Sequence, residues 1–345
     1  MMRKYTFWLM LLIAISACYR EEITFSANAN DTFFVEHNGA SMRVQVRGNT
    51  MSKSFLIILH GGPGAGSYKY MTRKMESLVH PETAVVYFDQ RNAGGSQGNN
   101  NVNYADLEQY ALDLQDVIAV LKSRYGQDIS LFLLSKSFGG MVACQYMTRP
   151  GRADEAIKGW IYANATHDYP LNDSLSHALM LRIGREYISA GINTSKWLDI
   201  VTYCESVTPP FSFEQSLKLN FLARSAQTIV QDVEPLQGNP LWENLFSEHI
   251  PLTNYYLGRT NSLARSFNKS LHRAGFRAEL ANVTLPVLVC ASQYDFLCPS
   301  GLADDFYARV SSADKKYLMF EHSTHNFEEQ EAYYSAFVAF VQEHR

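Results

Sequence analysis

Short runs of large apolar residues recur along the chain: FLIIL (55–59), AVVYF (84–88), ISLFLL (129–134), IKGWIY (157–162), LPVLVC (285–290) and KYLMF (316–320). Unbroken runs, unlike alternating ones, suit strands covered on both faces by helices. Between them the period changes. Leu107, Tyr110, Ala111, Leu114, Val117, Ile118 and Leu121 recur three and four apart, as on one helix face, and Asn103 with Asp106 marks a start. Gly139 to Arg149 reads as a helix stopped by Pro150-Gly151. A last helix is predicted from about Asn326, with Tyr333, Phe337 and Val341 on one face. Ahead of these, TFFVEHNGASMRVQV (32–46) sets two β-rich runs around Asn38-Gly39, a hairpin signal. Strand–helix alternation of this kind predicts a mostly parallel, doubly wound α/β sheet.

The rhythm breaks once. From Asp168 to Glu279 the patterning is helical, with aromatic residues interspersed and no buried strand. Residues 168–279 are therefore predicted to be an inserted helical cap, dividing a core into 32–167 and 280–345. The composition is that of a globular protein, 46% apolar and 19% charged over 345 residues. A net charge of −4 gives no electrostatic case for nucleic acid, which needs a basic stripe.

The N-terminus stands apart. Arg3 and Lys4 precede an apolar run from Tyr5 to Ile15, too short to span a bilayer as a helix and followed by small residues, the outline of a secretory signal. Ile15-Ser16-Ala17-Cys18 resembles a bacterial lipobox. That resemblance implies cleavage after residue 17, lipidation of Cys18, a polar tether over 18–31 and an exported, membrane-anchored protein. The other cysteines are Cys144, Cys204, Cys290 and Cys298; Cys144 and Cys290 fall in apolar patterns and read as small buried residues. Their spacing supports no disulfide pairing, and no Cys-x-x-Cys or His/Cys cluster points to a metal. No cofactor motif is found: Gly61 to Gly66 lacks the Lys-Ser/Thr of a P-loop.

Four loops follow predicted strands, where open α/β sheets place their ligands. They are His60-Gly61-Gly62-Pro63-Gly64, Asp89-Gln90-Arg91-Asn92-Ala93-Gly94-Gly95-Ser96, Ser135-Lys136-Ser137-Phe138-Gly139-Gly140, and Gln293-Tyr294-Asp295, with His322 to Asn326 after the last strand. The third nearly matches the G-x-S-x-G nucleophile elbow, but a serine, Ser135, replaces its first glycine. A serine hydroxyl is a weak nucleophile near neutral pH and needs a base, itself oriented by a third group. A strand-to-helix turn would raise Ser137 above the sheet and leave the Phe138 N–H at a helix N-terminus, open to an oxyanion.

Together HGGPG, the Asp-Gln-Arg loop and the order Ser…Asp…His resemble the α/β-hydrolase fold, and within it the prolyl iminopeptidase-like group, across residues 32–345. The resemblance implies Ser137 as nucleophile, Asp295 as acid and His325 as base, with Gly62 supplying the second oxyanion N–H. His322 competes with His325, and Asp168, after IKGWIYA, competes with Asp295. His-Asn-Phe-Glu-Glu and the acid-then-proline spacing to Pro299 favour His325 and Asp295. Asp89 and Arg91 are expected to brace neighbouring loops. The substrate the resemblance implies is the N-terminal residue, typically proline, of a short peptide. Holding its ammonium calls for cap carboxylates, of which Glu186, Glu205 and Glu214 are examples. Asn92 and Gly95 depart from the usual loop of that group, and an esterase or amidase is the alternative. A binding lipoprotein without turnover is a third reading, which only Ser135 favours.

Overall fold

The computed structural model describes residues 23–98, 106–149, 157–231 and 262–345. Among these, nine strands form one sheet: β1 (Ala29–His37), β2 (Ala40–Gly48), β3 (Ser54–Leu59), β4 (Ala84–Phe88), β5 (Gln97–Gly98), β6 (Ser130–Ser137), β7 (Ile157–Ala165), β8 (Val287–Ser292) and β9 (Lys315–Phe320). The order is β1-β2-β4-β3-β6-β7-β8-β9, with β5 on β2. All pairings from β4 to β9 are parallel and those of β2 are antiparallel. The β1–β2 hairpin turns at Asn38-Gly39, both at positive φ, as the dipeptide predicts.

The unbroken apolar runs are explained by burial on two faces. Phe55, Ile57, Leu59, Leu131 and Leu133 join one core with α1 (Leu107–Tyr125) and α2 (Gly139–Thr148). Leu56, Ile58, Phe132 and Leu134 join the opposite core, with the C-terminal helix. Asp106 caps α1 by accepting from Gln109 N at 2.7 Å; Asn103 and Pro150-Gly151 lie outside the described residues. β9 departs from the pattern. It is an edge strand, and its Leu318 and Met319 are exposed.

After HGGPG the chain makes a 3-10 turn (Ser67–Tyr70) and a π turn (Met75–Val79). One helix start differs from expectation. The C-terminal helix begins at Gln330, not near Asn326. Phe327 has φ 54°, and the carboxylates of Glu328 and Glu329 turn back onto the N–H groups of Thr324 and His322. These side chains tie down a loop where a helical turn was expected.

After β7 come α3 (Tyr169–Ser189), α4 (Thr194–Glu205), α5 (Phe213–Val230) and α6 (Ser262–Leu271), then α7 (Ser300–Arg309) behind β8 and α8 (Gln330–His344) behind β9. Helices α3 to α5 share their own apolar cluster around Met180, Trp197, Leu219 and Ala226. The loop after β8 joins it through Phe296, fully buried, with Tyr294 and Leu297 packed against the cluster.

Candidate active site

The backbone at Ser137 sets the site. Ser137 has φ 54°, a left-handed conformation that costs a non-glycine residue about 1–3 kcal/mol and persists only where surroundings enforce it. The enforcement is steric. A Cβ at Gly139 would lie 2.0 Å from the Leu59 carbonyl oxygen, and one at Gly140 2.3 Å from that of Thr166. Only glycine lets α2 start this close to β3 and β7, and the turn that results lifts Ser137 to the C-terminal edge of the sheet. The Thr166 N–H donates to the Ser137 carbonyl at 3.1 Å.

Ser135, in place of the elbow's first glycine, is fully buried. Its hydroxyl accepts from the indole N–H of Trp160 at 2.8 Å and lies 3.4 Å from the Ile161 carbonyl oxygen. The side chain fits because a neighbouring strand supplies a donor for it.

Against Ser137 lies the HGGPG loop; a Cβ at Gly61 would come 3.0 Å from Ser137 Cβ. His60 holds this loop from within. The Gln90 N–H donates to His60 Nε2 at 3.1 Å, while Nδ1 lies 2.7 Å from the Gly61 carbonyl oxygen and 3.3 Å from the Gly66 nitrogen. Among the described residues, the N–H groups of Gly62 and Phe138 donate to no protein acceptor. Phe138 starts α2, where the helix dipole also favours negative charge.

The Asp-Gln-Arg loop braces this frame. Asp89 accepts from the N–H and hydroxyl of Ser67 at 2.6 and 2.7 Å, from Gly95 N at 2.8 Å and from Arg43 Nε at 3.2 Å. Arg91 makes a two-pronged contact with Asp113, Nε to Oδ2 at 2.5 Å and Nη2 to Oδ1 at 2.6 Å, both residues being buried.

On the far side, His325 Nδ1 meets Asp295 Oδ2 at 2.7 Å. Asp295 is fully buried, and its Oδ1 accepts from the N–H groups of Leu297 and Cys298 at 2.8 and 2.9 Å. Three donors fix the carboxylate, which fixes the ring with the proton on Nδ1 and Nε2 free to accept. Burial lowers the pKa of His325; the Asp295 charge opposes this, while the nearby Lys136 ammonium adds to the lowering. Ser137 and His325 are not hydrogen-bonded to each other. The serine hydroxyl has Cys298 Sγ at 4.0 Å, and Cys298 is also a donor to Asp295. Such serine–base contacts commonly tighten only when substrate binds.

The competing residues have other partners. Asp168 caps α3, accepting from Leu171 N at 2.7 Å. His322 is exposed and donates its N–H to Glu329. Glu186 and Glu205 form exposed ion pairs with Arg182 and Arg185.

Residues that pattern alone did not single out complete the frame. Lys136 is buried between the two serines; its ammonium donates to the His325 carbonyl and stands 4.3 Å from the centre of the Phe327 ring. A lysine inside LFLLSKS was the available signal. Asn164 bridges β7, β8 and the His325 loop, donating to Ser292 Oγ at 2.8 Å and to the Thr324 carbonyl at 3.1 Å. Ser176 Oγ donates to the Phe296 carbonyl at 2.6 Å, joining α3 to the loop of Asp295. Among the described residues the four cysteines are free and buried.

The chain is 19% identical to the probable aminopeptidase YbaC of Bacillus subtilis (strain 168), over 82% of this chain and 86% of that protein. Its fold is similar to that of a proline iminopeptidase from Mycobacterium smegmatis, with a TM-score of 0.61 and 18% identity over 91% of this chain and 98% of that one. It is similar also to that of the esterase RhEst1 from Rhodococcus sp., with a TM-score of 0.54 and 17% identity over 93% and 100%. At these identities the likeness shows the α/β-hydrolase fold. The model of the hydrolase family described as serine aminopeptidase, S33, matches residues 50–226, so the chain belongs to that family of serine hydrolases.

Proposed function

We propose that Ser137, His325 and Asp295 act as a catalytic triad and that the enzyme removes the N-terminal residue of short peptides through an acyl-enzyme. The observation that carries the triad is the bond from His325 Nδ1 to Asp295, which leaves Nε2 free to accept, with Ser137 held at φ 54° and Cys298 of the Asp295 loop 4.0 Å from its hydroxyl. Ser137 Oγ attacks the scissile carbonyl carbon while Nε2 takes its proton. The Gly62 and Phe138 N–H groups receive the oxyanion. Collapse breaks the C–N bond, and the departing amine takes the proton from Nε2. Water, deprotonated by Nε2, then attacks the ester carbonyl and releases the acid and Ser137. Removing one oxyanion donor typically costs about two to three orders of magnitude in rate.

Support for a peptide substrate comes from the family match and from HGGPG. One observation favours an esterase or amidase instead: Glu186 and Glu205 are engaged with arginines at the surface. A fluorophosphonate probe is expected to label the wild type and not Ser137→Ala. Labelling of neither, with both folded, would sink the catalytic assignment. The two substrate classes separate on kcat/KM for proline 2-naphthylamide against short p-nitrophenyl esters. A preference for the ester by orders of magnitude ends the aminopeptidase reading.

We also propose that a lipid on Cys18, a residue outside the described ones, anchors the protein at a bacterial membrane. The lipobox resemblance supports this. Among the described residues no helix is long and apolar enough to cross a membrane. Cys18→Ser is expected to abolish palmitate incorporation; continued incorporation refutes the anchor.

A further inference from the structure

A cavity of about 750 Å³ lies between the starts of α3 and α5 and the end of α6. Its lining includes Pro170, Asp173, Pro209, Phe211, His272 and Arg273, and none of Ser137, Asp295 or His325. The volume is within the range of small-molecule sites.

Asp173 makes the cavity unusual. The residue is 5% exposed, yet its Oδ2 has no hydrogen-bond partner among the described residues. The imidazole Nδ1 of His272 lies 4.0 Å from it, beyond hydrogen-bonding range, and that nitrogen is itself unpartnered. Buried carboxylates are ordinarily paired, because an unmet charge in a low-dielectric site is costly. Burial pushes the Asp173 carboxyl up to about 6, so it is mainly ionised at neutral pH. Ser216 hydrogen-bonds the same carboxyl, and Oδ2 still lacks a donor, which an organic cation would supply together with a balancing charge. Pro170, Pro209, Pro210 and Phe211 give the cavity an apolar wall beside it.

We propose that this cavity is a binding site for a small organic ammonium, a primary or secondary amine with a compact apolar body, held by Asp173 Oδ2 against the proline and phenylalanine wall. The site is separate from the chemistry at Ser137, and occupancy needs no turnover.

The test is calorimetric titration of the full chain carrying Ser137→Ala, which removes the proposed nucleophile. Prolinamide is the probe, and N-acetylprolinamide, of similar shape without the charge, is the control. Prolinamide is expected to bind at least about tenfold tighter than the acetylated control, and Asp173→Asn to erase that preference, as loss of a charge-assisted bond would. His272→Gln, which puts a neutral amide in place of the imidazole and leaves Asp173 and Arg273 as the charged residues of the lining, is expected to bind prolinamide at least as tightly as the parent. This second variant keeps the test decisive should Asp173→Asn fail to fold. Equal affinity for the two ligands, retention of the preference in folded Asp173→Asn, or its loss in folded His272→Gln would each overturn the proposal.

Discussion

The indole N–H of Trp160 donates to the hydroxyl of Ser135 at 2.8 Å, two residues before the strained Ser137. The elbow's usual glycine has thus been exchanged for a side chain that the adjacent strand uses. Restoring glycine is expected to weaken the protein. Ser135→Gly leaves a buried indole donor unmet, a loss of about 1–3 kcal/mol in urea unfolding. Trp160→Phe in the same background should recover part of it. Equal stability of Ser135→Gly and wild type would show the bond to be idle.

Gly139 and Gly191 make a contrast of space against conformation. A Cβ at Gly139 meets a backbone oxygen, whereas one at Gly191 meets nothing within 4 Å, although its φ is +73°. Gly139→Ala is expected to lower stability by ~3 kcal/mol or more, since strand or helix must move. Gly191→Ala is expected to lose ~1 kcal/mol, the strain of the left-handed conformation alone. Thermal and urea unfolding of the pair checks both, and similar values for the two would refute the steric account.

Arg91 and Asp113 form a fully desolvated pair below the site. Asp113→Asn leaves an arginine buried with half its partner, so a loss of about 3–5 kcal/mol in stability is expected. A loss under about 1 kcal/mol, the level of a surface pair, would show that water reaches the guanidinium.

The pH profile of kcat/KM tests His325 as the proposed base. Burial holds His325 below the usual imidazole value, so the neutral, proton-accepting form persists and the acid limb should fall below that value. Burial also lowers Lys136, to about 8, and the lysine therefore carries charge throughout the acid limb. Its ammonium opposes a second positive charge on His325. Lys136→Met removes that opposition, and the acid limb is expected to move upward. A limb unchanged in the variant would leave Lys136 only its hydrogen bond to the loop.

Much of this architecture is readable from order and period. The strands announce themselves because residues such as Ile57 and Ile58 go to opposite cores, leaving no polar position in between. Asp168 and Asp295 could not be separated that way, since each follows a strand. What separates them in space is the first being spent on a helix cap and the second on an imidazole. The start of α8 was misjudged because Glu328 and Glu329, good helix formers, are bound to the histidine loop instead. Lys136 and Asn164 act through contacts distant in sequence, with the loop around His325, and no local periodicity encodes those.

Phe296 ties the helices after β7 to the centre. Its ring is packed among Trp197 and the other side chains shared by α3 to α5, while the residue before it is the carboxylate bonded to His325. The peptide between residues 295 and 296 therefore belongs to two packed groups at once. Repacking around Trp197 presses on the same short segment that sets the His325 ring, so the two are coupled by one peptide bond.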